Sequence, residues 1–367
     1  MLSLGFMTLD KTSEQTYFTE IAKRSHSFGI ICYRFVPTNI NPVTQQITGE
    51  QFDHREHRWV SCEFPLPSIL YDRCFYREDT HSRQCKTIVS WLKKRKDLKF
   101  LGYGLPNKLD IFQALSHSSL APYLPHSIEV NAGEQLLELL LNCNPILLKP
   151  TSGSQGNGIF LVEKQQDGFH VRTDKREKQI THTFADQETL VKWGNQLVRK
   201  REYLMQPFLY LSNQENRPYD IRSFLQKDQD GIWRLIGRGI RTGSEGGIIS
   251  NISAGGSISD FENWLSQFSI SMQHYLVEEL QDIYNKLPHL LESSFFPLFE
   301  IGLDIGVAND GAIWILDVNS KPGRKVVIST KLDEKEALYI APLLYAKKIV
   351  NQNWIERRTV HEKKIPN

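Results

Sequence analysis

The chain has 367 residues, enough to bury a large core and to divide into two or three domains. Hydrophobic content of 40% and charged content of 23% are those of an ordinary folded protein, and a net charge of +2 excludes a strongly basic nucleic-acid binder. Five cysteines (Cys32, Cys62, Cys74, Cys85, Cys143) without Cys-x-x-Cys spacing argue against a disulfide framework or a zinc site and fit a reducing compartment. Asp10 and Lys11 arrive before any apolar run of membrane-spanning length, so the expectation is a cytoplasmic protein with no membrane partner.

Residues 2–9 read as a buried strand, 15–25 as a helix stopped by Gly29, and 30–35 as a second strand, the spacing of a small α/β unit. Residues 37–51, rich in Asn, Thr and Gln, are expected to loop or to form a hairpin. Short strands follow at 59–64 and 69–71, then a helix at 87–96 whose solvated end is Lys93-Lys94-Arg95-Lys96. His54 and His57 have no third ligand at a useful spacing and read as a surface pair.

Gly and Pro cluster in Gly102-Tyr103-Gly104-Leu105-Pro106, which marks a domain boundary. Asn107 is placed to cap a helix over 108–115, and another helix is expected at 134–141. Pro145-Ile146-Leu147-Leu148-Lys149-Pro150 is an apolar run that ends on a lysine. It enters Thr151-Ser152-Gly153-Ser154-Gln155-Gly156-Asn157-Gly158 and then a second apolar run at 159–162. Such a unit lets backbone N–H groups converge on phosphate oxygens, and a lysine closing a buried strand asks for an anionic partner. The spacing excludes a Walker loop, which needs Gly-Lys-Ser/Thr before a helix, and the dinucleotide fingerprint, which opens one. An ordinary flexible hairpin is the other reading.

A helix at 190–201 leads to a strand and linker at 203–209. Alternation in 219–225 puts Asp220 and Arg222 on one face, and a turn at 228–231 leads into 232–241. Arg222, Arg238 and Arg241 then stand on adjacent strands, where arginines suit a carboxylate or phosphoryl oxyanion. A cross-strand Asp220–Arg ion pair is the alternative. A second small polar loop, Ser250-Asn251-Ile252-Ser253-Ala254-Gly255-Gly256, precedes a long amphipathic helix at 271–291.

Residues 299–320 carry the most information. Two apolar runs flank Asn309-Asp310-Gly311, a hairpin signal. A two-residue type I′ turn at Asp310-Gly311 sets Asp304 opposite Asp317, roughly 4.5–5.5 Å apart at Cβ. Asn319 then shares their face. Two carboxylates and an amide oxygen are hard ligands that suit Mg²⁺. A four-residue loop would instead pair Asp304 with Ile315, and a solvated polar face is the other reading of the acids. A last helix is expected at 332–350, before a charged tail at 356–367.

Taken in order, Lys108, Lys149 with its Gly loop, the linker at Gln206, Asp220 with Arg222, Arg238, and Asp304, Asp317 and Asn319 resemble the ATP-grasp superfamily over residues 105–330. More narrowly, Tyr219-Asp220-Ile221-Arg222, residues 250–256, Gly302-Leu303-Asp304-Ile305-Gly306 and Asp317-Val318-Asn319-Ser320-Lys321-Pro322-Gly323 resemble the YheC/YheD family of endospore coat-associated ATP-grasp proteins. The resemblance implies an α/β (α+β) fold, with an N-terminal pre-ATP-grasp-like α/β domain at 1–103 and ATP-grasp subdomains at 104–202 and 203–355. It implies ATP and Mg²⁺ (or Mn²⁺) as cofactors, with metal ligation by Asp304, Asp317 and Asn319. ATP contacts are implied for Lys108, Lys149, Ser152, Gly153, Ser154, Gly156, Gly158, Gln206, Phe208 and Asp220, and catalytic roles for Arg222, Arg238 and Asn251. The implied activity is an ATP-dependent carboxylate–amine or carboxylate–thiol ligase. It would act through an acyl phosphate on a small-molecule or peptide carboxylate, in a cytoplasmic setting linked to the spore coat and its proteins. A nucleotide-binding coat-assembly module without turnover and a phosphotransferase are the rival functions. Two departures from related ligases are Ile249, where glutathione-synthetase-like members carry Arg, and Pro207 in the linker, where Glu is frequent.

Overall fold

The computed structural model describes residues 2–153, 156–175, 178–250, 256–330 and 335–351, and the expected tail at 356–367 lies outside them. Three sheets follow one another along the chain. The first contains β1 (Leu2–Met7), β2 (Ile30–Phe35), β3 (Gln46–Asp53), β4 (Arg58–Pro65), β5 (Ile69–Asp72) and β6 (Lys99–Phe100), with helices α1 (Gln15–Ser25) and α2 (Thr80–Lys94). Its order is β4-β3-β2-β1-β5-β6, with β1 parallel to β2 and β5. Gly29, at φ 68°, ends the first helical segment in the left-handed conformation that glycine adopts without strain. In the polar stretch at 37–51, residues 37–45 form a short helical turn and a loop, and β3 begins at Gln46 and pairs antiparallel with β4, which lies beyond the stretch. Helix α2 starts earlier than its apolar spacing suggests, because the Asp79 carboxylate accepts from the Ser82 N–H at 2.8 Å and caps it at Thr80.

The second sheet is antiparallel throughout, in the order β11-β10-β9-β8-β12-β7. It is built from β7 (Ile128–Val130), β8 (Ile146–Pro150), β9 (Phe160–Gln165), β10 (Gly168–Lys175), β11 (Lys178–Phe184) and β12 (Tyr203–Pro207). Helix α3 (Lys108–Ser116) precedes these strands, while α4 (Glu134–Asn142) and α5 (Gln187–Lys200) cover one face. Ile146, Leu148 and Val162 point into that covered core. By alternation Leu147 and Lys149 point the other way. Helix α3 departs from the segment it begins: Ile111 and Leu115 pack into the core of the third sheet.

The third sheet runs β15-β14-β13-β16-β17. Its strands are β13 (Tyr219–Lys227), β14 (Trp233–Thr242), β15 (Ser257–Asp260), β16 (Glu300–Val307) and β17 (Ile313–Asn319). Helices α6 (Phe261–Leu265), α7 (Ile270–Ser294), α8 (Lys325–Thr330) and α9 (Lys335–Asn351) complete it. Leu276, Leu280, Ile283, Leu287 and Leu291 form one stripe of α7, and all are fully buried against Ile221, Ile240, Ile301, Leu303, Ile305 and Val307. Each such burial is worth roughly 1.5–3 kcal/mol, so this stripe fixes which face of the sheet is core. Helix α9 crosses back, placing Leu343, Tyr345, Ala346 and Ile349 in a core with Phe6, Phe18 and Ile21 of the first sheet. Among the described residues no helix is long and apolar enough to cross a membrane.

The hairpin of β16 and β17 corrects the expected turn while keeping the expected pairing. Ala308 N–H donates to the Ala312 carbonyl, and Gly311 N–H to the Ala308 carbonyl, both at 2.9 Å, with Gly311 at φ 88°. The loop is therefore the three residues 309–311, ended by a left-handed glycine, and not a two-residue type I′ turn. Ile305 pairs with Ile315, but beyond a bulge Asp304 pairs with Asp317 and Gly302 with Asn319. The extra residue reverses the alternation. Ile315 and Val318 both enter the core, leaving Asp317 and Asn319 on the opposite face with Asp304.

Gly302 lies on that same face, where a Cβ would stand 2.6 Å from Pro322 Cβ and 3.1 Å from Arg222 Nη2. Gly302→Ala is expected to cost about 1–3 kcal/mol through overpacking. Urea denaturation should show a lower midpoint with an unchanged slope, and an unchanged midpoint would contradict the close packing of Pro322 on β16.

Candidate functional site

The face of the third sheet turned away from α7 carries Asp220 and Arg222 from β13, Arg241 from β14, Asp304 from β16, and Asp317 and Asn319 from β17. Asp304 is held by two guanidinium groups, hydrogen-bonding to Arg222 Nη1 and pairing with Arg241 Nη2 at 2.7 Å. Arg241 also forks onto Asp220, at 2.7 and 2.5 Å, and the Ser250 hydroxyl donates to the same carboxylate. Asp317 Oδ2 accepts from Lys108 Nζ at 2.6 Å and from Asn319 Nδ2 at 3.1 Å, while its Oδ1 is buried and unpaired. Lys108 is delivered from α3, which Asn107 caps by accepting from Asp110 N–H at 2.9 Å. The Lys108 N–H also donates to the Thr151 carbonyl, tying the helix start to the end of β8.

These charges act on one another strongly. Burial would raise the pKa of Asp304, but Arg222 and Arg241 outweigh it and hold the carboxyl at about 2. Asp220 is raised from its ordinary value, by burial first and by the Asp304 charge, despite Arg241. Burial and the neighbouring Lys108 push Lys149 down to about 8, against the pull of Asp317, Asp304 and Asp220. Lys149 is thus a cation enclosed without a paired anion of its own among the described residues.

The glycine-rich loop leaves β8 beside Lys149. Gly153, Gly156 and Gly158 have φ of 119°, 69° and 79°, a region that side-chain-bearing residues rarely adopt. A Cβ on Gly158 would lie 3.1 Å from Tyr203 Oη, and one on Gly153 would strike Arg201, which hydrogen-bonds to the Ser152 carbonyl. Ser154 and Asn251, with the rest of 251–255, lie outside the described residues. Gln206 is buried and donates to Ser127 Oγ at 2.6 Å. Phe208 packs with Ile159, Leu147 and Leu161 of the second sheet and with Ile248 and Ile249 of the third, an apolar cluster that spans the cleft. Near it the Asp174 carboxylate accepts from Ile248 N–H at 2.7 Å, and Gln179 donates to the Gly246 carbonyl at 3.2 Å.

Arg238 does not join this group. It pairs across the sheet with Ser223, whose hydroxyl meets Tyr284 of α7 at 2.7 Å, so it faces the α7 side. There it pairs with Glu262 at 2.9 Å and stacks 3.6 Å over Phe261. Arg241 stands three positions after Arg238, an odd step in a strand, and only one of the two can share a face with Arg222. Arg241 is that residue, paired opposite Asp220. The cross-strand Asp220–Arg ion pair weighed from sequence also exists, and its partner is Arg241.

Asp304, Asp317 and Asn319 fit a hard divalent cation: two carboxylates face each other, an amide lies beside them, and one buried carboxylate oxygen lacks a partner. Among the described residues no cluster of three or more His, Cys, Asp or Glu could hold a metal, so such a site depends on the Asn319 amide.

The fold matches solved ATP-grasp ligases. The D-alanine-D-alanine ligase from Coxiella burnetii is similar over 98% of this chain and 100% of its own, at TM-score 0.52 and 11% identity. The ATP-grasp ligase PsnB complexed with minimal precursor is similar over 94% and 99%, at TM-score 0.54 and 14% identity. At these identities the likeness defines an ATP-grasp fold. The sequence profile of the YheC/D-like ATP-grasp family matches residues 97–349. The endospore coat-associated protein YheC of Bacillus subtilis (strain 168) is 37% identical over 348 residues, 94% of each chain. The chain belongs to the YheC/D-like ATP-grasp family.

Lys149→Met gives a direct check on the electrostatics. The folded protein holds a charged Lys149 below about pH 8, whereas the unfolded chain keeps the ordinary value of 10.5. Burying the charge therefore costs stability below pH 8, and the cost fades as pH rises to 10.5. The mutant should melt higher than wild type at pH 7, with the difference shrinking across that window. A constant difference in melting temperature would contradict the assignment.

Proposed function

We propose that the chain is an ATP-dependent ligase that joins a carboxylate to an amine or thiol through an acyl phosphate. The observation that carries this reading is the cleft-face lattice of Lys108, Lys149, Arg222 and Arg241 with Asp220, Asp304 and Asp317. Lys108, Arg222 and Arg241 can each exchange a carboxylate for a phosphoryl oxygen, and Lys149 can take one directly. Segments 104–202 and 203–355 would form the two halves of the nucleotide cleft, with 1–103 as the domain that precedes them.

Lys108 and Lys149 would neutralise the phosphates while the glycine-rich loop, including Ser152, Gly153, Gly156 and Gly158, covers them. Gln206 and Phe208 line the apolar end of the cleft, where a purine base would be sheltered from water. Asp304, Asp317 and Asn319 would hold Mg²⁺ or Mn²⁺, which supplies charge neutralisation at phosphoryl oxygens. In the first step a substrate carboxylate oxygen bonds to the γ-phosphorus, the bond to the bridging oxygen breaks, and ADP leaves. The lone pair of the acceptor then attacks the acyl carbon, inorganic phosphate departs with the bonding pair, and the acceptor proton passes to solvent. Arg222 and Arg241 are oriented to stabilise charge that grows on the transferred group. No protein nucleophile is needed.

The carboxylate is a small-molecule or peptide one. The name of the Bacillus relative supports a spore-coat setting and coat proteins as partners. Ile249, packed into the apolar cluster where related ligases carry Arg, favours a second reading, a nucleotide-binding coat module that no longer turns over.

Two measurements separate these outcomes. Asp317→Asn relieves repulsion from Asp304 but removes the carboxylate paired with Lys108, so the apoprotein should stay folded while substrate-dependent ADP release falls by at least about a hundredfold, or roughly 2.7 kcal/mol. Wild-type ADP release in this variant would sink the proposed ligand set, and nucleotide binding without ADP release in the native protein would favour the coat module. Because Arg222, Arg241 and Lys108 occupy the candidate ligands, Mn²⁺ should bind weakly until a nucleotide draws those cations away. Paramagnetic resonance of Mn²⁺ titrations with and without ADP reads this directly, and equal affinity in both would count against it.

A further inference from the structure

The segment that follows Asn319 is bound to the first sheet at nearly every residue. Ser320 Oγ accepts from the Leu105 N–H at 3.0 Å. Lys321 Nζ pairs with Asp72 at 2.7 Å and donates to the Cys74 carbonyl at 2.9 Å. The Pro322 carbonyl accepts from Arg73 Nη2 at 3.0 Å. Arg324 pairs with Glu14 at 2.6 Å and donates to Tyr71 Oη at 2.9 Å.

Glu300, on β16 and on the Asp304 face, closes the network from the other side. Arg73 reaches it at 2.5 Å and Glu14 at 3.0 Å, and Arg324 stands 3.4 Å from Glu300. Two arginines and two glutamates therefore balance in one quartet, with Arg73 fully enclosed, Glu300 and Arg324 buried and Glu14 half-buried at its edge. The strand pair that carries Asp304, Asp317 and Asn319 is gripped before Asp304 and after Asn319, in both cases by the C-terminal end of β5 and the start of α1.

Buried ion networks are poor devices for stability, because desolvation offsets most of the attraction and well-packed apolar residues do as well. What charged and hydrogen-bonded partners supply is geometry. Pro322 also packs onto β16 at Gly302, directly beneath Arg222, so any slip of 320–324 would reach the candidate ligands.

We propose that Arg73, Asp72 and Glu14 are positioning residues that hold the metal-facing end of β17 in register with Asp304, making the first sheet part of the metal site. The proposal rests on the reading of Asp304, Asp317 and Asn319 as ligands. Outer partners of metal ligands commonly change metal affinity by about 10–100-fold when removed.

The test uses the full chain, with Mn²⁺ and ADP as probes. Lys321→Met leaves Asp72 paired with Lys93 at 2.9 Å, so the variant keeps a partner for its buried acid. Arg73→Lys keeps the charge and loses the fork. In both, the Mn²⁺ dissociation constant of the ADP complex should rise roughly tenfold or more. ADP affinity in excess chelator, which draws on Lys108 and Lys149, should stay near wild type, and Lys321→Arg should restore Mn²⁺ binding. Unchanged Mn²⁺ affinity in folded Lys321→Met overturns the positioning role, as does an equal loss of ADP affinity in chelator, which marks general loosening. If Arg73→Lys does not fold, Lys321→Met decides alone. A wild-type ADP complex that binds no Mn²⁺ overturns the ligand assignment itself, and is distinguishable because it needs no variant.

Discussion

Two carboxylates set opposite each other on paired strands repel, and like charges at that spacing destabilise a sheet. Asp304 and Asp317 are held in this arrangement, and much of the surrounding fold answers it. Arg222 comes from β13 beside β16, Arg241 reaches across from β14 one strand further, and Lys108 arrives from a helix that precedes the second sheet yet packs on the third. Loss of either arginine leaves the buried Asp304 with one guanidinium in place of two, and loss of Lys108 removes the cation paired with Asp317. The route of α3 across the segment boundary is explained by this need: it delivers a lysine to the cleft while burying Ile111 and Leu115.

The same acids would have no place on the sheet without the bulge in β17. A regular hairpin would send Asp317 to the side of Ile315, into the α7 core. One extra residue lets a continuous apolar stripe and a continuous polar stripe coexist on one short strand. The bulge therefore converts a sequence that reads as mixed into two clean faces. It also explains why the pairing of Asp304 with Asp317 is legible although the turn is not. A two-residue turn without a bulge and a three-residue turn with one give the same partner.

Elements governed by local signals were readable from the sequence. The helix at Gln15–Ser25 and the strand at Ile30–Phe35 follow from apolar spacing and Gly29, and Asn107 caps α3 where its side-chain chemistry predicts. Elements held by tertiary contacts were not. Strand β11 is mostly polar and exposed and shows no apolar alternation, so only its ladder with β10 defines it. Helix α8 is six residues of β-branched and polar character that packs on β14, where Val327 lies beside Gly237. At the site, three arginines on adjacent strands were visible, but their faces depend on register. Counting along β14 in steps of two separates Arg238 from Arg241, once one residue of that strand is anchored in the core.

The three sheets are joined by very unequal contacts, and the inequality says which part can move. First and third sheets share the Arg73–Glu300–Arg324–Glu14 quartet and the α9 core, both largely removed from water. The second sheet meets the third through the Lys108 neighbourhood, the small apolar cluster of Leu147, Leu161 and Ile248, and the Asp174 and Gln179 hydrogen bonds to residues 246–248. The Gln179 bond is worth about 0.5–1.5 kcal/mol net and the bond to the Asp174 carboxylate about 1.5–3, and the groups they release can be met by water. Opening the quartet, by contrast, would strand charges in a low-dielectric interior. On the ligase reading proposed above, the cleft would therefore open by displacement of the second sheet, carrying Lys149 and the glycine-rich loop. The strands that carry Asp304 and Asp317 would meanwhile stay fixed to the first sheet.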